Sequence, residues 1–234
     1  MLPRVAASRE DIERSAAAIR ERIAAAATRA GRAPDEVSIV AAAKTVDVDR
    51  VRWVAGAGVT AIGHNYVQEM AASRAAIAVP GLRWHYIGAL LSGTATRVAD
   101  LADVVETLGG ERAARRLAGR AARSGRVLDV LIEVDFTGTR SGVPPGRVPA
   151  TADMLSSLEG VRLRGLMTIP PISSVDEDAR PWFARLRTLR DDLRGTHPDM
   201  LELSMGMSLD YEVAVEEGAT MVRIGTALFG PRRR

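Results

Sequence analysis

Cysteine is absent from the 234-residue sequence. A chain without thiols cannot build a disulfide framework, a thiolate zinc site, an iron–sulfur cluster or a cysteine nucleophile. The sequence also lacks an uninterrupted apolar run of the roughly 18 residues that a membrane helix needs. Its first residues pass straight into charged side chains, so no signal peptide is predicted. These absences favour a cytoplasmic protein that does not associate with membranes.

Aromatic residues make up only 4% of the chain, which is too few for a surface that stacks nucleic-acid bases. The formal net charge is +3, and the terminal arginines 232–234 are interpreted as a solvated chain end. Hydrophobic residues reach 47%, which is enough for a sizeable core and too many for a disordered chain. We therefore expect one domain over residues 1–234 with no nucleic-acid partner. We also expect a monomer.

Lysine is almost absent: of the 32 basic residues, 31 are arginine and one, Lys44, is lysine. An amine can lose its proton and act as a nucleophile, whereas a guanidinium effectively cannot. Residues 37–43 form an apolar run before Lys44, and partial desolvation by that run favours the neutral amine that forms Schiff bases. A solvated lysine at a strand end is the alternative, but that alternative does not explain why this one basic position has lysine when all the others have arginine.

The hydrophobic pattern predicts alternating helices and strands. Ser8 and Asp11 resemble a capping box that begins a helix over about 8–30, which Gly31 ends. Short β-branched runs predict strands at 37–43, 59–62, 82–87, 103–107, 127–134, 163–169, 200–203 and 221–224. Amphipathic stretches predict helices between them at 49–57, 66–77, 93–101, 110–123, 147–158, 177–193 and 211–217.

Eight strands alternating with helices indicate an α/β fold with a parallel sheet, and they fit a single (β/α)8 barrel of the TIM type over about 37–230. The N-terminal helix is extra to that barrel. A doubly wound open sheet is the alternative, but its dinucleotide-binding form would show GxGxxG where this chain has Ala43-Lys44-Thr45. In a TIM barrel, functional groups lie at the carboxyl ends of the strands.

Small and hydroxylated residues follow the last two predicted strands, where such barrels often bind phosphate. The first segment is Ser204-Met205-Gly206-Met207-Ser208 and the second is Gly225-Thr226. Backbone N–H groups and hydroxyls in such loops suit an anion, although either loop alone also fits an ordinary turn. Occurring together, they predict a phosphate site.

Arg223 lies inside the last predicted strand, where an unpaired charge is costly. It is either a ligand contact beside the phosphate loops or half of a salt bridge with Glu133 or Glu202. His85, on the third predicted strand, is either a core histidine or a ligand contact. A lysine amine, a phosphate corner and an inward arginine match the aldehyde, the phosphate and the ring nitrogen of pyridoxal 5′-phosphate (PLP).

Six segments make the chain resemble the pyridoxal phosphate homeostasis proteins. They are residues 43–45 (AKT), 63–69 (GHNYVQE), 84–88 (WHYIG), 165–169 (GLMTI), 203–208 (LSMGMS) and 222–230 (VRIGTALFG). The resemblance implies the barrel of the alanine racemase N-terminal domain, PLP as cofactor and no robust catalytic activity. It implies a role in buffering PLP or delivering it to PLP-dependent apoenzymes.

Residue by residue, the resemblance implies a Schiff base on Lys44 and Arg223 facing the pyridine nitrogen. It places Asn65 and His85 near the cofactor, and it implies no metal. The phosphate-binding segments contribute Ser204, Gly206, Met207, Ser208, Gly225 and Thr226.

The chain departs from the family pattern in three places. His64 stands where glutamate is usual, and Arg140 stands where a lysine is common. Leu91, Gly93 and Thr94 replace a glutamine, an asparagine and a lysine. These positions lie beside the cofactor core, so they bear on PLP transfer more than on PLP binding.

Two other functions remain open. One is a PLP-dependent amino-acid racemase, although the chain ends about ten residues after the last predicted strand, so we expect no second domain to supply an opposite base. The other is a sugar-phosphate enzyme without PLP that uses Arg223 and His85.

Overall fold

A computed structural model describes residues 7–231, so the terminal arginines 232–234 lie outside the described residues. The strands form one closed barrel in chain order, each parallel to its neighbours, and the first pairs with the last. The prediction of a (β/α)8 barrel is confirmed. The strands are β1 (Ser38–Ala42), β2 (Ala61–His64), β3 (Arg83–Tyr86), β4 (Val104–Leu108), β5 (Leu128–Val134), β6 (Val161–Thr168), β7 (Glu202–Ser204) and β8 (Met221–Ile224).

Helices surround the barrel and connect its strands. They are α1 (Arg9–Arg29), α2 (Val48–Gly56), α3 (Val67–Ala76), α4 (Ala95–Leu101), α5 (Glu111–Arg123), α6 (Val148–Ser156), α7 (Arg180–Leu193), α8 (Tyr211–Glu216) and α9 (Thr226–Phe229). The predicted capping box is present, because the Asp11 N–H donates to Ser8 Oγ at 3.2 Å and the Ser8 N–H donates to Asp11 Oδ2 at 2.9 Å. The buried face of α1 packs against α8, α2 and α9, and thus covers the side of the barrel where the chain closes on itself.

The core has two layers, as expected when strand side chains alternate between the inside and the outside of a barrel. A small inner cluster fills the barrel with Val40, Ala61, Leu131, Met167 and Met221. The larger outer cluster lies between strands and helices. No helix in residues 7–231 is long and apolar enough to cross a membrane.

Several boundaries differ from the prediction. The segments predicted at 59–62 and 200–203 lie one or two residues too early, because β2 is Ala61–His64 and β7 is Glu202–Ser204. Parallel strands are apolar on both faces, so hydrophobicity does not mark their ends. The helix predicted at 177–193 begins with a 3₁₀ turn at Asp176–Ala179, and α7 follows from Arg180 with Pro181 in its first turn, where a proline is tolerated.

Candidate functional site

A cavity of about 610 Å³ lies at the carboxyl ends of the strands. We call it the Lys44 cavity, because the chain's only lysine is in its wall. Seven of the ten predicted site residues line it: Lys44, Asn65, Met207, Ser208, Arg223, Gly225 and Thr226. The structure therefore brings together the amine, the two small-residue loops and the inward arginine that the sequence placed on one rim.

Lys44 follows β1 and is half-buried. Its Nζ lies 5.5 Å from the centroid of the Tyr66 ring, and no carboxylate in residues 7–231 is within ion-pair distance of it. The next residue, Thr45, has φ 58°, a left-handed conformation that is strained for a β-branched residue. The Thr45 N–H donates to Glu69 Oε2 at 3.4 Å, which holds this turn against α3. The backbone beside the amine is thus fixed in an uncommon conformation, as often occurs at ligand sites.

The loop after β7 depends on Gly206, which has φ 88°. A Cβ at this position would lie 2.5 Å from the Ala214 Cβ and 2.9 Å from the Tyr211 Cα, so the turn packs too tightly against α8 for any side chain. The Met207 N–H donates to Asp210 Oδ1 at 2.6 Å. Burial raises the pKa of Asp210, which also lines the Lys44 cavity. Gly206 itself lies behind the cavity wall and shapes the loop that presents the next two residues.

The loops after β7 and β8 form one corner, because the Ala227 N–H donates to Ser208 Oγ at 3.1 Å. The Ser208 and Thr226 N–H groups have no hydrogen-bond acceptor in the described part of the chain. Together with the hydroxyls of the same two residues, they provide the donors that a phosphate requires. The two loops therefore provide N–H groups and hydroxyls at the corner where the sequence predicts a phosphate site.

Arg223 lies on β8 and is only 4% exposed. Its Nη1 donates to the carbonyl oxygen and the Oγ of Ser204 at 2.8 and 2.7 Å, and its Nη2 donates to the Thr168 carbonyl at 2.8 Å. Burial lowers the pKa of the Arg223 guanidinium, and nearby carboxylates oppose that shift. A guanidinium carries five N–H donors. Two of them have no hydrogen-bond acceptor in the described part of the chain.

Arg223 has a carboxylate partner inside the barrel, as the salt-bridge alternative expected, but the suggested partners Glu133 and Glu202 are wrong. Glu133 pairs with Arg140 at 3.4 Å, and Glu202 accepts a hydrogen bond from Thr220 Oγ1 at 2.5 Å. Neither carboxylate is within ion-pair distance of the guanidinium, although the charge of Glu133 still raises the pKa of Arg223.

Glu106, which the sequence analysis did not identify, is the carboxylate nearest to Arg223, with Oε2 4.0 Å from Nη1. It is fully buried on β4 and binds His85 Nδ1 and Ser204 Oγ, each at 2.6 Å. Burial alone would raise the pKa of Glu106. The hydrogen bond and charge of His85, the charge of Arg223 and the Ser204 hydroxyl outweigh burial and hold the pKa below its ordinary value. The available signal was an acid in the middle of an apolar strand.

His85 and Ser204 do not reach the wall of the Lys44 cavity. Ser204 is fully buried beneath that cavity, where it joins Glu106 to Arg223. His85 instead lines a separate cavity of about 450 Å³ at the opposite end of the barrel, where the strands begin.

None of the departures from the family pattern lines the Lys44 cavity. His64 is fully buried with its ring stacked on Trp84, at 6.1 Å between centroids. Neither of its ring nitrogens has a hydrogen-bond partner in residues 7–231, and burial lowers its pKa to about 4. Leu91, Gly93 and Arg140 are exposed, and Thr94 is half-buried. Within the described residues, no three His, Asp or Glu side chains group as metal ligands.

Comparisons with known proteins agree with this architecture. The family model for the alanine racemase N-terminal domain matches residues 15–233. The pyridoxal phosphate homeostasis protein of Aquifex aeolicus is 40% identical over 216 residues, which are 91% of this chain and 95% of that protein. The protein of the same name from Escherichia coli K12 is 36% identical over 95% of this chain and 97% of its own length.

A solved structure is also similar. PipY from Synechococcus elongatus, determined with PLP bound, superposes with a TM-score of 0.80. It is 34% identical to this chain over 91% of this chain and 100% of its own. The chain therefore belongs to the alanine racemase N-terminal domain family and, within it, to the pyridoxal phosphate homeostasis proteins.

Proposed function

We propose that this protein binds PLP in the Lys44 cavity, with Lys44 carrying the cofactor as a Schiff base. Its cellular role is then PLP homeostasis, by buffering the cofactor or delivering it to PLP-dependent apoenzymes. The observation that carries the proposal is the shared cavity: the chain's one lysine amine faces the same space as an anion corner and a buried arginine.

The residues in the cavity wall match three groups of PLP: the aldehyde, the phosphate and the pyridine nitrogen. The aldehyde of PLP supplies an electrophile for a lysine amine. Lys44 suits that partner, because the residue is half-buried and its amine forms no ion pair in the described part of the chain. The Ser208 and Thr226 donors suit the phosphate, and the two remaining donors of Arg223 suit the pyridine nitrogen.

Asn65 completes the wall on the side of β2. Its Nδ2 donates to the Ile87 carbonyl at 3.3 Å, which fixes the side-chain amide and leaves Oδ1 free to accept a hydrogen bond. We assign it a role in orienting the bound cofactor. His85 takes no direct part in this proposal, because it lines the other end of the barrel.

The relatives support the same ligand. The PipY structure contains PLP, and the relatives from Aquifex aeolicus and Escherichia coli are named for PLP homeostasis. The position of Lys44 also favours PLP over a sugar phosphate, because a sugar-phosphate enzyme gives no reason for a single lysine amine beside the phosphate corner.

A visible absorption spectrum of the purified protein with PLP tests the proposal. We expect a Schiff-base band in the wild type and no such band in Lys44→Ala. Lys44→Arg is the matched control, because it keeps the positive charge and removes only the reactive amine. A wild-type protein that shows no band at saturating PLP contradicts the proposal and leaves the sugar-phosphate enzyme as the better hypothesis.

A further inference from the structure

Glu106 connects three polar side chains inside the barrel. It lies on β4, is completely buried, and accepts hydrogen bonds from Ser204 Oγ and His85 Nδ1. Ser204 in turn accepts a hydrogen bond from Arg223 Nη1 at 2.7 Å. The resulting chain runs from His85 through Glu106 and Ser204 to Arg223, which forms part of the Lys44 cavity.

Glu106 is the one carboxylate within 4.0 Å of the Arg223 guanidinium in residues 7–231. A buried guanidinium needs an opposite charge and hydrogen-bond acceptors in fixed positions, because water does not solvate it. Glu106 supplies the charge, and it also orients the Ser204 hydroxyl toward itself, so that the lone pairs of Ser204 Oγ are free to accept from Arg223.

We infer that Glu106 is a positioning residue that fixes the Arg223 guanidinium, and thereby makes the Lys44 cavity select a ligand with a hydrogen-bond acceptor opposite that arginine. The selectivity part rests on the proposed function, in which the acceptor is the pyridine nitrogen of PLP. The positioning part concerns only the protein and is tested separately.

Selectivity is measured with three ligands: PLP, an analogue in which a CH group replaces the ring nitrogen, and pyridoxal, which lacks the phosphate. For the wild type we expect PLP to bind about tenfold or more tightly than the ring analogue, as for one hydrogen bond to a charged group. In Glu106→Gln that ratio should approach one, because the guanidinium is no longer held. The ratio of PLP to pyridoxal should not change, because the phosphate corner is built from other loops.

Asp135→Asn is the matched control. Asp135 is also a buried carboxylate, but it accepts hydrogen bonds only from residues 137–140. This variant should keep both ligand ratios of the wild type. If Glu106→Gln weakens the binding of PLP and of the ring analogue by the same factor, Glu106 has a merely structural role and the inference is overturned.

Urea unfolding without ligand tests the positioning itself, in Glu106→Gln, Arg223→Gln and the double variant. Each single change removes the opposite charge from one member of the buried pair, although Glu106 keeps its contact with His85, whereas the double change removes both members. The double variant should therefore lower the urea midpoint by less than the sum of the two single variants. Additive losses overturn the inference. A wild type that does not bind PLP contradicts the proposed function, while the unfolding result still decides the coupling of Glu106 to Arg223.

Discussion

His64 should make the protein lose stability in mild acid. Its imidazole is fully buried against Trp84, and its two nitrogens have no hydrogen-bond partner in the described part of the chain. Burial lowers the pKa of His64 from the ordinary 6.5 to about 4 in the folded protein. The unfolded chain therefore takes up a proton on this residue before the folded protein does.

The sign and size of the effect follow from these pKa values. A depressed folded-state pKa leaves stability intact above pH 6.5 and reduces it as the pH falls from 6.5 to about 4. Each pKa unit corresponds to about 1.4 kcal/mol, so from pH 7.5 to 4.5 this residue should cost about 2 to 3 kcal/mol. That loss is a large share of the roughly 5 to 15 kcal/mol that stabilises an ordinary domain.

The assay is urea unfolding at pH 7.5 and 4.5 for the wild type and His64→Leu. Carboxylates remote from His64 titrate alike in both proteins. Glu69, whose Oε2 lies 3.9 Å from His64 Nδ1, is the exception, so the difference between the two proteins reports His64 together with its effect on Glu69. We expect the wild type to lose about 2 to 3 kcal/mol more than the variant. His64→Phe, which keeps an aromatic ring beside Trp84, should behave like His64→Leu. Equal pH-dependent losses in all three proteins would refute a buried, neutral imidazole.

Three further predictions address the cavity. Gly206→Ala should destabilise the protein by about 1 to 2 kcal/mol because of its left-handed backbone, and by about 1 to 3 kcal/mol more because the added Cβ meets α8. The control is Gly125→Ala, where φ is 65° and nothing lies within 4 Å of the added Cβ, so urea unfolding should show only the backbone cost. Equal losses of stability in the two variants would contradict the packing argument. Thr226→Ala should weaken the binding of PLP by about 1 to 3 kcal/mol in a titration and leave the binding of pyridoxal unchanged. An equal effect on both ligands would mean that Thr226 does not contact the phosphate. The holo-protein with L-alanine in deuterated water should form little D-alanine by chiral chromatography, because no tyrosine or histidine in residues 7–231 lines the Lys44 cavity as a second base. Turnover near ~1 s⁻¹ would favour the racemase.

Sequence reasoning succeeded where a rare residue coincided with a regular pattern. The alternation of strands and helices was enough for the barrel, since eight parallel strands with short connections close in few ways. The carboxyl ends of the strands converge on one rim of the barrel. The sequence positions of Lys44 after β1 and of the two loops after β7 and β8 were therefore enough to predict that they lie together.

The interior of the barrel was much less predictable. β4 is buried on both faces, so its sequence does not show that Glu106 points inward, and its partner Ser204 lies 98 residues away along the chain. His85 was expected near the cofactor, but the tilt and stagger of barrel strands set the depth of each side chain, and His85 lines the opposite cavity. Contacts across the barrel depend on that stagger, which hydrophobic periodicity does not encode.

The central claim, that Lys44 carries PLP, is tested most directly by borohydride reduction followed by proteolysis and mass analysis. Reduction converts a Schiff base into a stable amine, so the cofactor stays on the residue that held it. Since Lys44 is the chain's only lysine, the N-terminal amine is the one other primary amine of the polypeptide. We predict that the peptide containing Lys44 gains the mass of reduced PLP and that Lys44→Arg gives no labelled internal peptide. A label found only on the N-terminal peptide, or no label at all, would contradict the claim.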